Sequence, residues 1–457
     1  MSLRPARPGL ARVAWLVSLA LIGCGGYANT SEEFRKSLTR GAPDQALGRV
    51  NEALGVDRAE QQPGEPEADT PLLLLERGTI LQAMGRYSDS ARDFQAADAK
   101  LEVLDLSTDA IGALGQYLFS DDATLYKAPP HEKLLLNTLN MVNYLAEGNE
   151  SSAKVEARRL VINGKYLENT GESDDRRMMA LSSYLAGYAF EVAGDSGEAM
   201  RHYADAHAAG GVPTLDQAIR DLHAATGAED PRVKELIAER GTPAEREGTT
   251  DLFVLVQTGM APFKSPVRVP LAQALIISSR DGRGRLSASE ERRATTLAAK
   301  GLLKWVNYPA LKRVRGQRSI ASISLDNQSL PVGAALDVES RVIDQFERAV
   351  PSLVAASITR MIARAVAGEL SQSATKKGSN SGLAGLLVGL AVEGAMTAAD
   401  TPDTRAWVTL PAGMFVARAR VPAGRHVIRV DYGGETREVE VDLPPGRWKF
   451  VNFSAVR

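Results

Sequence analysis

The chain has 457 residues, 44% of them hydrophobic, 24% charged and 5% aromatic, with a formal net charge of −2. At about 100–200 residues per domain this describes two to four folded domains, and it excludes a multi-span membrane protein and a nucleic-acid binder with a broadly basic face or aromatic stacking platforms. The single cysteine, Cys24, excludes internal disulfides and cysteine-rich zinc sites, and five scattered histidines offer little for a metal centre.

Arg4, Arg7 and Arg12 precede the apolar run Val13–Ile22. A basic start with about ten apolar residues has the form of a signal peptide, because a spanning helix needs about 20. The run ends Leu21-Ile22-Gly23-Cys24, which resembles the lipobox of bacterial lipoproteins. The resemblance implies cleavage after the small Gly23, removal of residues 1–23, and a diacylated Cys24 whose new amino group takes a third chain. Three chains exceed the two signals that stable anchoring needs. Gly25 stands where an aspartate would favour inner-membrane retention. The mature chain is therefore expected in the outer membrane facing the periplasm, with surface display left open. Its 51 basic and 56 acidic residues give −5, and residues 24–31 are expected to form a lipidated tether.

From 32 to 241 the apolar spacing predicts helical hairpins. In Leu74–Leu101, Gly78 permits close helix approach, Gly85-Arg86-Tyr87 makes the turn, and Phe94 and Ala97 line the second helix. Gly187, Gly194, Ala199, Tyr203 and Ala206 belong to a second such unit. Both units resemble tetratricopeptide repeats, with weaker copies around Gly41 and Gly148. The resemblance implies a solenoid whose concave groove takes a peptide or a partner helix. The turn glycines lie 44, 63 and 46 residues apart, against about 34 in a regular array, so extra segments intervene, the largest at 107–130. His202 and His207, five apart on one helix, point to different faces and suit packing or solvent rather than a metal. Gly194-Asp-Ser196-Gly197 lacks the spacing of a nucleophile elbow and reads as a turn with a helix cap.

The second half changes character. Thr250–Gln257 reads as a buried strand, Val267–Ser278 as an extended stretch, and Ser319–Leu325 alternates as a half-buried strand does. Gly282-x-Gly284 in the loop Arg280–Arg285 lacks the third glycine of a dinucleotide fingerprint, so no cofactor is expected. With Lys312–Arg318 this loop forms either a basic patch for anionic glycan or lipid or simply solvated loops. Helices are expected at Asp337–Val350 and Pro351–Leu370, with Pro351 in the first turn of the second. Residues 371–403 read as a linker and a Gly/Ala-rich apolar helix. Its run Gly382–Met396, with Gly385 and Gly389 spaced for helix pairing, is too short to span a membrane and contains Glu393, so it reads as a buried or helix-packing segment, with interfacial insertion left open. Beyond it, Trp407–Leu410, Phe415–Val421, His426–Tyr432, Thr436–Val441 and Trp448–Val456 predict short strands. The phrase Val421–Val430 is similar to PEGA-type β modules of bacterial envelope proteins. The expected fold is thus α+β and multidomain: a TPR-like helical repeat domain at 32–241, a mixed strand and helix domain at 249–370, and a small antiparallel sandwich-like module at 404–457.

Val155-Glu-Ala-Arg-Arg159, Thr258-Gly-Met-Ala-Pro262, Ile358-Thr-Arg-Met-Ile-Ala-Arg364, Asp403-Thr-Arg-Ala-Trp407 and Leu410-Pro-Ala412 follow in order over most of the mature chain. With the lipobox and the hairpins they resemble an uncharacterised family of tetratricopeptide-repeat-containing bacterial outer-membrane lipoproteins. Members are sometimes found beside lipoproteins that activate peptidoglycan synthases, and no catalytic residue comes with the family. The resemblance implies an envelope scaffold that binds envelope proteins through its repeat groove and the membrane through its acyl chains. Peptidoglycan or another envelope polymer is a further expected ligand, and nucleic acid is not. A structural part of a secretion, motility or polysaccharide-export machine would use the same repeats. An enzyme acting on peptidoglycan would need carboxylates about 5–10 Å apart or a metal or nucleophile set. The adjacent acids Asp121-Asp122 and Asp174-Asp175 read instead as solvated surface, so no catalytic, cofactor or metal residue is assigned.

Overall fold

The computed structural model describes residues 26–64, 68–103, 126–169, 176–238, 247–280, 286–314, 320–375, 402–432 and 435–456. The leader with Leu21, Ile22, Gly23 and Cys24 lies outside the described residues, as do residues 107–125, the pairs Asp121-Asp122 and Asp174-Asp175, and Gly382–Met396. The fold is mixed α/β, helical in its first half and rich in strands toward its C-terminus.

Among the described residues ten α-helices fill the first half: α1 Gly26–Thr39, α2 Pro43–Ala53, α3 Thr70–Ala83, α4 Tyr87–Asp98, α5 Pro130–Glu147, α6 Glu150–Asn169, α7 Arg176–Val192, α8 Ser196–Ala208, α9 Leu215–Thr226 and α10 Lys234–Ala238. Two short strands, β1 Glu102–Val103 and β2 Lys127–Ala128, pair in parallel between α4 and α5. Each helix packs on its neighbour in sequence, so the hairpins stack side by side. Prolines in the first turns of α2, α3 and α5 leave no donor wasted there. Gly85 and Gly194 turn the chain at φ of 74° and 80°, where a side chain would be strained. Asp195 then caps α8 by accepting from the Glu198 amide.

The second half contains β3 Thr249–Thr258, β4 Phe263–Pro270, α11 Leu271–Ser278, α12 Ala288–Ala299, β5 Trp305–Lys312, β6 Ile320–Leu325, β7 Gln328–Leu330, β8 Gly333–Asp337, α13 Val338–Thr375, β9 Gly413–Pro422, β10 Gly424–Tyr432, β11 Glu435–Leu443 and β12 Trp448–Ala455. One sheet runs β12-β3-β9-β8, with β12 parallel to β3, and a second runs β11-β10-β6-β7. Side chains from both sheets share one apolar core, and the other face of the first sheet packs on the helices. Strand β3 explains the layering. Leu252, Val254 and Val256 enter the core between the sheets, whereas Phe253 and Leu255 enter the helical core. A strand covered on both faces needs the unbroken apolar run that Leu252–Val256 supplies. The outer strand β11 is charged and exposed along most of its length, which blunts that edge against further pairing.

The strands of 404–457 accordingly form no sheet of their own. β9 and β12 flank β3, and β10 and β11 continue from β6, so the sheets interleave residues 249–337 with 413–455. Other elements also differ from expectation. Trp407–Leu410 is irregular rather than a strand, because its amides bond side chains instead of a ladder. The stretch expected to be extended at Val267–Ser278 turns at Pro270 into helix α11. Helices expected on either side of Pro351 are one 38-residue helix, α13, in which Pro351 sits internally at the loss of one backbone bond. By length and composition Val338–Val366 could cross a membrane, but 56% of its most apolar window is buried inside the protein. It begins in the helical core at Val338, and its residues 354–365 enter a third core with α11, α12, β4 and β5. Finally, the expected tether 24–31 is already helical from Gly26, since Tyr27 and Ser31 are buried against the rest of the molecule.

Candidate functional site

The two hairpins place their marked residues alike, 109 positions apart. A Cβ on Gly78 would lie 2.5 Å from the Phe94 ring, and one on Gly187 would overlap the ring of Tyr203, so both glycines exist to let the aromatic approach the helix backbone. Ala97, Ala199 and Ala206 are fully buried in the same helix contacts. Tyr87 starts α4 and donates its hydroxyl to the Asn452 carbonyl of β12 at 3.4 Å.

That last contact introduces the main feature of the molecule: the hairpins close on the chain's own C-terminal half. The segment 405–412 is buried without regular structure, a costly state unless each backbone polar group is met. Lys264 Nζ donates to the Arg405 carbonyl at 3.0 Å, and the Tyr27 hydroxyl to that of Ala406 at 2.5 Å. Glu132 accepts from the Trp407 amide at 3.1 Å. Glu76 accepts from the amides of Val408 and Thr409 at 2.8 and 2.9 Å. The Leu410 carbonyl accepts from Ala261, and that of Ala412 from Glu339. Trp407 is the hub. Its indole donates to Thr79 Oγ1 at 2.9 Å and meets the Phe94 ring edge-on, 5.7 Å between centroids.

The second hairpin repeats this grip on Arg418 of β9. The guanidinium donates to Glu191 at 2.7 Å, to Asp251 at 2.6 and 3.0 Å, and to the Tyr203 hydroxyl at 2.8 Å. It also lies 4.7 Å from the centre of the Tyr188 ring. The equivalences are positional: Thr79 and Tyr188, Gln82 and Glu191, Phe94 and Tyr203 each occupy one place in the two hairpins. Gln82 accepts from Gln257 of β3 at 2.9 Å, as Glu191 does from Arg418.

Burial governs the electrostatics. Glu76 is fully covered and its pKa rises to about 7, opposed by the hydrogen bonds it accepts. Its neighbour Tyr27 has one proton and two acceptors, Glu76 Oε1 at 2.6 Å and the Ala406 carbonyl. A protonated Glu76 would satisfy both, by donating to the tyrosine oxygen. Glu132 is raised for the same reason of burial, and Lys264 is lowered by burial although Asp403 and Glu132 oppose it. His131 falls to about 4 through burial. Arg405 forks onto Asp403 and reaches Asp69 at 3.0 Å. Such a network suits a fixed clamp rather than proton transfer to a substrate: these carboxylates, Lys264 and Arg405 already serve the protein's own groups.

Among the described residues no group of three or more His, Cys, Asp or Glu is placed to hold a metal ion. His202 stacks on Phe190, 5.2 Å between centroids, and burial lowers it to about 4. His207 lines an open depression of about 420 Å³ with Gly210–Pro213 and Asp216, its Nδ1 3.5 Å from Asp216.

Three of the strings singled out in the sequence fall on this clamp. Asp403–Trp407 and Leu410–Ala412 are the gripped segment, and Thr258–Pro262 supplies the amide that bonds Leu410. Glu76, Glu132, Lys264 and Arg418 had no place among the residues marked from sequence. The available signal was Glu76-Arg77 inside an otherwise apolar helix, where two ionisable groups must both find partners. No protein-family model matches the chain, and no curated protein matches it.

Proposed function

We propose that the chain is a lipid-anchored scaffold of the bacterial envelope, held in the outer membrane by acyl chains on Cys24 and facing the periplasm. In this reading the hairpins are a tetratricopeptide-like solenoid and the two facing sheets a β-sandwich. The observation that carries it is Leu21-Ile22-Gly23-Cys24 directly after a basic and apolar leader. Burial of Tyr27, three residues beyond Cys24, supports it, because the folded body then begins where the anchor ends. The groove that the hairpins would offer to a partner is filled by Trp407 and Arg418, so envelope partners are read at the outer surfaces of a braced frame. No substrate chemistry is assigned.

Metabolic labelling with palmitate tests the anchor. The parent chain should take up label and fractionate with outer membranes, and Cys24→Ala should do neither. An unlabelled parent, or equal label in Cys24→Ala, overturns the reading. Crosslinking in envelopes should then recover a defined partner from surfaces outside the groove.

A further inference from the structure

The described residues of 263–312 carry eight lysines and arginines against two acidic residues, whereas the whole chain carries 54 against 56. This segment is the lobe of β4, α11, α12 and β5, closed over its own core by the second half of α13. Residues 351–366 of α13 add Arg360 and Arg364 and no acid. An acidic protein therefore carries one strongly basic lobe.

The lobe also exposes apolar side chains. Ile276 on α11 is 67% exposed and Trp305 at the start of β5 is 41% exposed. They lie on adjoining segments. Trp305 pairs with Pro270, the residue that caps α11, and the Leu271 amide donates to the Lys304 carbonyl at 2.9 Å. Each has an arginine at hand: Arg268 lies 5.9 Å from the Trp305 ring, and exposed Arg280 follows Ile276 by about one helical turn. Tryptophan and isoleucine beside arginines match the boundary of an anionic bilayer, where rings enter the headgroup level and cations meet phosphate. A nucleic acid or a glycan would answer the charge but offer no apolar phase to Ile276.

We propose that this lobe makes a second, peripheral contact with an anionic lipid surface, Trp305 and Ile276 entering the headgroup boundary and Arg268 and Arg280 meeting lipid phosphates. Choosing a bilayer over an acidic protein rests on the lipid-anchored reading above. The lobe is joined to the N-terminal helix: Arg35 of α1 stacks on Phe263, 3.6 Å from the ring centre, at the start of β4. The seven steps from Phe263 along β4 then carry the chain about 24 Å to Pro270.

The test uses the chain from Gly25 onward, which keeps every described residue and lacks Cys24. It should sediment with phosphatidylglycerol vesicles, not with phosphatidylcholine vesicles, and less as salt rises. Trp305 emission should shift to the blue on binding. Arg268→Gln with Arg280→Gln should weaken binding about 30-fold, and Ile276→Ser with Trp305→Ala should weaken it on the same vesicles. Thermal melts like the parent's would show both variants folded. Absence of binding to anionic vesicles overturns the proposal, as does binding that both variants keep. Equally tight binding to heparin or polyglutamate, insensitive to Ile276→Ser with Trp305→Ala, overturns it in favour of a simple polyelectrolyte contact. Because Cys24 is absent throughout, failure here leaves the palmitate result standing, and failure of acylation leaves this result standing.

Discussion

Replacing Arg418 by methionine removes the cation that Glu191 of α7 and Asp251 of β3 share. The three side chains are 8%, 12% and 8% exposed, so neither carboxylate can turn to water once the guanidinium is gone. Removing one partner from a buried ion pair leaves an uncompensated charge and costs about 3–5 kcal/mol. Methionine keeps a flexible apolar contact over Tyr188, which spares the packing but not the charge. Urea unfolding of the chain at neutral pH, followed by tryptophan fluorescence, should show that loss with little change in slope. A variant within about 1 kcal/mol of the parent would refute the idea that Arg418 ties the helices to the sheets.

Four further substitutions, one of them a control, test the same architecture. Gly187→Ala should destabilise by about 1–2 kcal/mol, since overpacking against Tyr203 outweighs the roughly 1 kcal/mol of added helix propensity; Gly197→Ala, with open space at its Cβ, should be neutral or stabilising in the same thermal melts. Trp407→Ala should cost about 3–5 kcal/mol and open 403–412 to limited proteolysis, and an unchanged digestion pattern would count against the clamp. For Glu76 the folded pKa of about 7 lies above the ordinary 4.5, so the folded state holds the extra proton. Stability from this group is then full below about pH 4.5 and falls by about 3 kcal/mol as pH rises to 7. Glu76→Gln should remove that slope in denaturation measured across the window, and an unaltered slope would sink the assignment.

The hairpins were legible because their signals are local. A glycine and an aromatic sixteen residues apart, with a turn glycine between them, define one helix contact whatever surrounds it. The sheets were less legible, because short alternating strands state which face is buried but not which strand is next to it. Hence β9 to β12 read as neighbours in one module, although β12 runs parallel to β3 across almost 200 residues of sequence. Helix α3 held a clue to the clamp. Its side chains are apolar nearly all round, which requires cover on every side, and Glu76 and Arg77 at its centre then require partners. Arg77 finds Asp93 and Asn51 within the hairpins, while Glu76 finds backbone more than 300 residues away. No pattern of spacing encodes that second kind of contact.

Hairpins that close on their own chain work differently from hairpins that offer an open groove. The gripped segment is covalently attached, so its binding is intramolecular and no concentration of a free peptide competes with it on equal terms. Any partner entering there would have to strip seven backbone hydrogen bonds from residues 405–412 and expose Trp407. The frame is thus braced along both hairpins, at Trp407 and at Arg418, and its outer parts keep a fixed relation to one another. That rigidity reaches the N-terminus, because Tyr27 is bonded to the same segment. Three residues of chain span at most about 10 Å, so an acylated Cys24 would hold the body close to the bilayer and limit which surfaces can turn toward it. An anchored protein with a flexible tether would present all of its faces in turn; this one would present few, and a basic lobe joined to α1 through Phe263 gains from that restriction.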